Sequence, residues 1–260
     1  MVNIPEYRTE AYDKNSVLSI NQRKVRGAID RNNVLSLNIR PAVNQRSDVP
    51  SQSVHEKAAG SVSTYTPSQP AIISDMKIPP LVNVARKGQK LPLENAGKLS
   101  VLEARLGWNI KNPDCDLDVS AFLLSGNRVP GDDWFVFYGQ PESPDKSTVF
   151  SNTSPDREMI TINFRELDSR IDKIVFVLTI NEALEKNLNF SMVKDAYIRL
   201  MDGPEIASFM MDEYYNNVTS MMIGEIYKHN GLWKFNAVGN GVARDLAGLC
   251  ELYGVQVEGE

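Results

Sequence analysis

From residue 91 onward the chain is cut into short segments in which apolar residues either alternate with polar ones or run together, with turn residues between them. The strongest are Val101 to Trp108, Leu117 to Leu124, Trp134 to Tyr138, Met159 to Phe164, Ile174 to Ile180, Ala196 to Met201, Ile206 to Met211, Met221 to Tyr227 and Leu232 to Val238. Alternation at period two predicts half-buried strands, and the all-apolar runs predict strands covered on both faces. Many short strands at this spacing predict a sandwich or barrel. Lys228-His229-Asn230-Gly231 reads as a tight hairpin turn, because Asn-Gly supplies positive φ. Val242, Leu246, Leu249 and Tyr253 recur at helical spacing, with Gly241 opening the helix and Gly254 stopping it. The fold class is therefore mostly β, a β-sandwich with a C-terminal helix.

Residues 1–90 have a different texture. Pro50-Ser51-Gln52-Ser53, the run from Ser61 to Pro70 and Ile78-Pro79-Pro80 break any period, so this part cannot bury enough apolar surface to offset its own ordering entropy. It is expected to be an irregular extension, residues 1–90, ahead of a folded domain, residues 91–260. Val17-Leu18-Ser19-Ile20 and Val34 to Ile39 alternate weakly, as strands added to another surface would. Charge divides at the same boundary: residues 1–90 carry net +6 and residues 91–260 net −11, together the chain's −5. A basic arm before an acidic domain predicts a docking element for a protein partner, or for another copy in a homo- or hetero-oligomer; a solvated tail is the plainer alternative. No nucleic-acid partner is expected.

No apolar run approaches the ~20 residues of a membrane helix, and the N-terminus lacks a basic-then-apolar export signal, so no membrane insertion and a cytoplasmic protein are expected. Cys115 and Cys250, outside any C-x-x-C pair, are expected to be reduced, unpaired thiols.

The densest chemistry lies in Asn112-Pro113-Asp114-Cys115-Asp116-Leu117-Asp118-Val119-Ser120. Extended backbone projects Asp114, Asp116 and Asp118 to one side and Cys115, Leu117 and Val119 to the other. Three anions so placed repel unless a cation lies among them. Ca²⁺ suits them, because it accepts six to eight oxygens in irregular geometry, whereas Mg²⁺ demands a stricter octahedron. The only histidines are His55 and His229, which argues against zinc or copper. A D-x-D-x-D triplet also occurs on solvated loops, and this one is no EF-hand, since Val119, Ala121 and Phe122 stand where that loop would continue. Further acids stand at strand ends or in connecting loops: Asp132-Asp133, Asp145, and Asp156-Arg157-Glu158.

Other constellations read as ordinary structure. Gly239-Asn240-Gly241-Val242-Ala243-Arg244 has Arg244 where a dinucleotide fingerprint needs its third glycine, and it follows no βαβ unit. His229 falls at a hairpin tip, away from any nucleophile, and no Ser/His/Asp arrangement is evident. Glu225 is expected at a solvent-facing strand position. Trp108, Trp134 and Trp233 are expected in the core, and Met210-Met211 and Met221-Met222 to straddle strand faces.

Gly107-Trp108-Asn109, then Asp116 to Leu124, then Asp133-Trp134-Phe135-Val136-Phe137-Tyr138 resemble the TerD family of tellurium-resistance and bacterial stress proteins. The likeness continues in order through Lys173 to Ile180, Ala196 to Leu200, Gly224 to His229, Trp233 to Gly239 and Leu246 to Cys250, about 160 residues in all, and leaves the first 90 uncovered. The resemblance implies a β-sandwich that binds Ca²⁺ through acidic loops, with no established catalysis. Asp116, Asp118 and Asp133 match its motif, with Asp114 and Asp132 as helpers. Two departures bear on the site. Asn109 replaces the usual aspartate and offers a carbonyl oxygen without charge. A longer acidic loop is reduced here to Ser154-Pro155-Asp156-Arg157-Glu158, leaving Asp156 and Glu158 as candidates. One site, or a second and weaker one, is expected. The resulting reading is a non-enzymatic calcium-binding domain that acts through a protein partner in a stress-response context. The rival is a structural component of a large assembly, such as a phage particle, that uses a TerD-like module as decoration or connector.

Overall fold

The computed structural model describes residues 12–13, 75–93, 99–152 and 154–258. Fourteen strands and one α-helix occur among them. They are β1 (Tyr12–Asp13), β2 (Lys90–Pro92), β3 (Val101–Ile110), β4 (Leu117–Leu124), β5 (Phe135–Val136), β6 (Thr148–Ser151) and β7 (Glu158–Asn163). Then follow β8 (Lys173–Ile180), β9 (Val193–Met201), β10 (Glu205–Met210), β11 (Ser220–His229), β12 (Leu232–Asn236), β13 (Asn240–Val242), helix α1 (Leu246–Tyr253) and β14 (Val257–Glu258). The strands expected at Val17 to Ile20 and Val34 to Ile39 lie outside the described residues.

Two antiparallel sheets face each other, one ordered β10-β9-β3-β7-β6 and the other β2-β12-β11-β8-β4-β5, with β13 pairing the start of β11. Leu102, Ala104 and Leu106 of β3 and Ile160 and Ile162 of β7 fill the space between them from one side. Leu117, Val119, Ala121 and Leu123 of β4 fill it from the other, as alternation requires. The opposite face of β4 is covered too. Phe122 stacks on Phe135 at 4.4 Å between ring centroids and meets Tyr253 of α1 at 4.5 Å. This second layer explains why β4 and β8 read as nearly continuous apolar runs.

The hairpin between β11 and β12 has Asn230 at φ 52° and Gly231 at φ 80°, with His229 opposite Leu232. The helix begins later than the sequence predicts. Gly241 and Val242 lie in β13, paired with Met221 and Ser220, and Asp245 is the true N-cap, its carboxylate accepting the Gly248 N–H at 2.8 Å. The hydroxyls of Thr219 and Ser220 both donate to the Arg244 carbonyl at 2.7 Å, fixing the chain before its first helical turn. Gly254 ends the helix in the left-handed region at φ 85°.

Residues 75–90, read from the sequence as extension, lie along the sandwich. Asn83 and Ala85 exchange backbone hydrogen bonds with Ser208 of β10, and Glu205 accepts the N–H groups of Val82 and Asn83 at 2.8 and 3.0 Å. The chain then crosses to β2, which pairs β12. One strap thus covers an edge strand of each sheet, where unpaired backbone would otherwise face solvent.

Candidate metal centre

The side chains of the Asp114–Asp118 segment divide as extended geometry requires. Cys115, Leu117 and Val119 are buried, Asp114 and Asp116 are exposed, and Asp118 is half-buried opposite Thr179 of β8. The backbone holds this segment on both sides: the Asp114 N–H donates to Asn112 Oδ1 at 3.0 Å, and the Asp116 carbonyl accepts the Asn181 N–H at 2.8 Å.

Glu158 approaches from the other sheet. It stands on the same face of β7 as Ile160 and Ile162, so its side chain enters the space between the sheets, only 5% exposed. Its Oε2 accepts the Val119 N–H at 2.8 Å. That donor is available because β5 pairs only with Ala121 and Phe122, leaving the first half of β4 without a strand on that side.

Tyr138 is half-buried near the start of β4. Burial, and after it the charges of Asp118, Asp116 and Glu158, push its phenol far above the ordinary tyrosine range, so it is held protonated. Asp118, Ser120, Thr179 and Leu246 of α1 close in beside it and leave no room for a water molecule. Lys186, bonded to Glu182 at 2.6 Å, is raised chiefly by that bond; Asp114 and Asp116 add a smaller pull.

The remaining candidates lie elsewhere. Phe135 pairs Phe122, roughly 13 Å of strand beyond Asp118, and Asp132 and Asp133 lie further along in a 3-10 turn, so neither joins Asp118. Asp132 is buried and accepts the Gln256 N–H at 2.7 Å. Partial desolvation holds the Asp133 carboxyl above its usual range, with Asp132 pushing the same way and Arg170 pulling against it. Asp156 accepts the Tyr197 hydroxyl at 2.5 Å and two Arg199 donors at 3.1 and 3.0 Å. Asn109 is turned to the strap: its Oδ1 accepts the Met76 N–H at 2.7 Å, and its Nδ2 donates to the Met76 carbonyl and to Asp195.

Among the described residues no three acidic, His or Cys side chains are already drawn together as a metal cage. The set beneath α1 offers one carboxylate and several neutral oxygens. Two buried hydroxyls there, of Ser120 and Tyr138, have no hydrogen-bond partner. Sulfur does not compete, since Cys115 and Cys250 are both buried and burial raises both thiols. Ser120, Tyr138 and Thr179, which lie beside Asp118, were not among the candidates read from the sequence. The first continues the alternation of Asp116 and Asp118, but Tyr138 and Thr179 close in only through the sheet register.

Comparison with known proteins agrees with this architecture. A family model described as the TerD domain matches residues 83–253. The tellurium resistance protein TerD of Serratia marcescens is 39% identical over 163 residues, spanning 58% of this chain and 85% of that one. A TerD of Alcaligenes sp is 35% identical over 187 residues, 67% of this chain and 97% of the other. General stress protein 16U of Bacillus subtilis is 34% identical over 186 residues, 66% of this chain and 96% of the other. With most of its length matched by one domain model and by relatives covered nearly end to end, this chain belongs to the TerD domain family.

Proposed function

We propose that this protein is a non-catalytic domain that binds Ca²⁺ at the entrance to β4 and acts by contacting another protein, in a stress-response setting like the one its relatives' names describe. What supports the calcium reading is the placement of Asp114, Asp116 and Asp118 along one side of the segment entering β4, with Glu158 of β7 bonded to the backbone of the next residue and no accessible sulfur nearby. Asp118 and Glu158 would hold the ion, with Asp116 and Asp114 at its rim. Bound there, the ion supplies positive charge among these carboxylates and ties the start of β4 to the start of β7. Asp133, Asp132, Asp156 and Asn109 have other partners or other places and are left out of this set.

The partner is proposed to dock through the basic N-terminal region, most of which lies outside the described residues. The part that is described, residues 75–90, lies against its own domain, which favours a free-standing protein over a component of a large assembly. No helix among the described residues is long and apolar enough to cross a membrane. Calorimetric titration of the full chain tests the reading. Ca²⁺ should bind and raise Tm by mass action, Mg²⁺ at equal concentration should do much less, and Asp118→Asn should lose the effect. Equal shifts with both ions, or none, would sink it.

A further inference from the structure

On the outer face of the second sheet, Tyr253 of α1 covers Phe122 of β4, and Val175 and Val177 of β8 are buried beside it. β12 and the far end of β11 lack that cover. There Lys234, Tyr227 and Lys173 stand side by side across β12, β11 and β8, each strand about 5 Å from the next. Lys90 of β2 is the neighbour of Asn236, and its ammonium reaches over β12 to 5.9 Å from the Tyr227 ring. Three lysines thus flank one half-buried tyrosine, in a domain whose residues 91–260 carry net −11. Glu225 answers one of them: it accepts from Asn236 at 2.9 Å and lies 3.8 Å from Lys173. Among the described residues, Lys90 and Lys234 have no carboxylate at ion-pair distance. Leu232, on the same face of β12 as Lys234, is 51% exposed.

Like charges gathered on one sheet face repel, so the arrangement calls for anions from outside. The aromatic ring and the exposed leucine add an apolar anchor, the combination that interface centres favour. Nucleic acid fits poorly, because a long row of phosphates would run from this small basic patch onto the acidic surface around it. A short acidic peptide does not have that difficulty. Extended, it sets its same-side residues about 7 Å apart, within reach of the lysines on either side of Tyr227. We propose that this face docks an acidic, extended segment of a partner protein, with its carboxylates among Lys90, Lys234 and Lys173 and an apolar side chain against Tyr227 and Leu232. The surface belongs to the folded domain and is distinct from the N-terminal region. It also lies away from the acidic entrance to β4: Lys173 faces Leu124 at one end of that strand pair, and Leu117 faces Ile180 at the other. Docking here therefore needs no metal ion.

The test uses the full-length protein in chelator, so that its outcome is independent of the calcium reading. Fluorescence anisotropy follows a labelled peptide of alternating Glu and Leu, with the Gln-for-Glu peptide and a single-stranded oligodeoxynucleotide as comparisons. The acidic peptide should bind, the Gln peptide should not, and binding should weaken as salt is raised. Lys90→Glu with Lys234→Glu should weaken it by about tenfold or more, since charge reversal sets like against like. Leu232→Ser should weaken it several-fold through lost apolar contact. Lys77→Glu, an exposed cation of the strap next to the Met76 clamp on Asn109, should bind as the wild type does. Equal binding by the wild type and the double variant would assign the peptide to the basic N-terminal region and overturn the proposal, as would no binding by the wild type. Tighter binding of the oligonucleotide through the same lysines would overturn it in favour of nucleic acid. A wild-type dimer that the double variant dissociates would overturn it in favour of a second copy. Should the double variant fail to fold, Lys234→Gln and Leu232→Ser decide.

Discussion

The Tyr197 hydroxyl reaches the Asp156 carboxylate at 2.5 Å, through a space that exists because residue 107 is glycine. A Cβ built at Gly107 would lie 2.4 Å from the Tyr197 ring, closer than any real contact. The Gly in Gly107-Trp108-Asn109 is thus a steric requirement of a buried network in which Arg199 supplies the cation for Asp156. Gly107→Ala is expected to cost about 1–3 kcal/mol by overpacking. Asp156→Asn leaves Arg199 nearly buried without its anion and should cost about 3–5 kcal/mol. The double variant should cost less than the sum, since both changes disrupt one network. Urea unfolding measures all three; strict additivity would show that Tyr197 and Asp156 are not coupled.

Asn109 illustrates how a motif position can be reassigned by its surroundings. From the sequence it is a neutral substitute for a carboxylate ligand, yet it is 2% exposed and clamps both backbone groups of Met76 while donating to Asp195 at 3.0 Å. Asn109→Asp would set two carboxylates at hydrogen-bonding distance and remove a donor. It should lower stability by about 1–3 kcal/mol, release protection of the Met76 amide in hydrogen exchange, and add nothing to Ca²⁺ affinity. A gain in affinity would return Asn109 to the site.

The same contrast describes the chain at large. Strand positions were legible because both faces of β4, β8 and β11 carry apolar residues at a fixed period, and Leu117–Leu124 has the very limits the pattern predicts. Three features were not. β2 and β6 are too short to show a period, and the helix start was misplaced because Val242 fits helical spacing equally well while pairing with Ser220. The strap at residues 75–90 has no apolar rhythm, because backbone groups and Glu205 hold it. The site was legible in part: Asp116 and Asp118 announce themselves by spacing, whereas the separation of Asp133 from them depends on where β5 pairs with β4.

Acid should destabilise the protein partly through Asp145. Burial raises its carboxyl, but the Ser143 hydroxyl and the N–H groups of Asp168 and Ser147 outweigh burial and hold it below its ordinary value of 3.8. A folded-state pKa below the unfolded one means stabilisation that is complete above pH 3.8 and lost as pH falls through the depressed value. Asp145→Asn should therefore cost about 1–3 kcal/mol at pH 7 and show a shallower loss of stability with acid than the wild type. Parallel acid limbs in the two proteins would refute it. Asp133, raised by desolvation, runs the other way, so Asp133→Asn should be neutral or mildly stabilising at pH 7.

Lys186 competes for the same negative charge as the proposed ion. Its ammonium is held by Glu182 at 2.6 Å, and Asp114 and Asp116 act on it from across the loop. A resident cation lowers the local potential that attracts Ca²⁺ and partly answers how the chain tolerates three aspartates at alternate positions without an ion. Because Lys186 is exposed, the Glu182 pair itself should add little to stability. Lys186→Gln should tighten Ca²⁺ binding by about two- to fivefold in dilute buffer and by much less at physiological salt, where the Debye length falls from about 30 to about 8 Å. Its Tm in chelator should barely change, or fall slightly as the rim loses its cation. Binding that weakens in Lys186→Gln would mean that the lysine organises the rim instead of competing for it, and would place the ion away from Asp114 and Asp116.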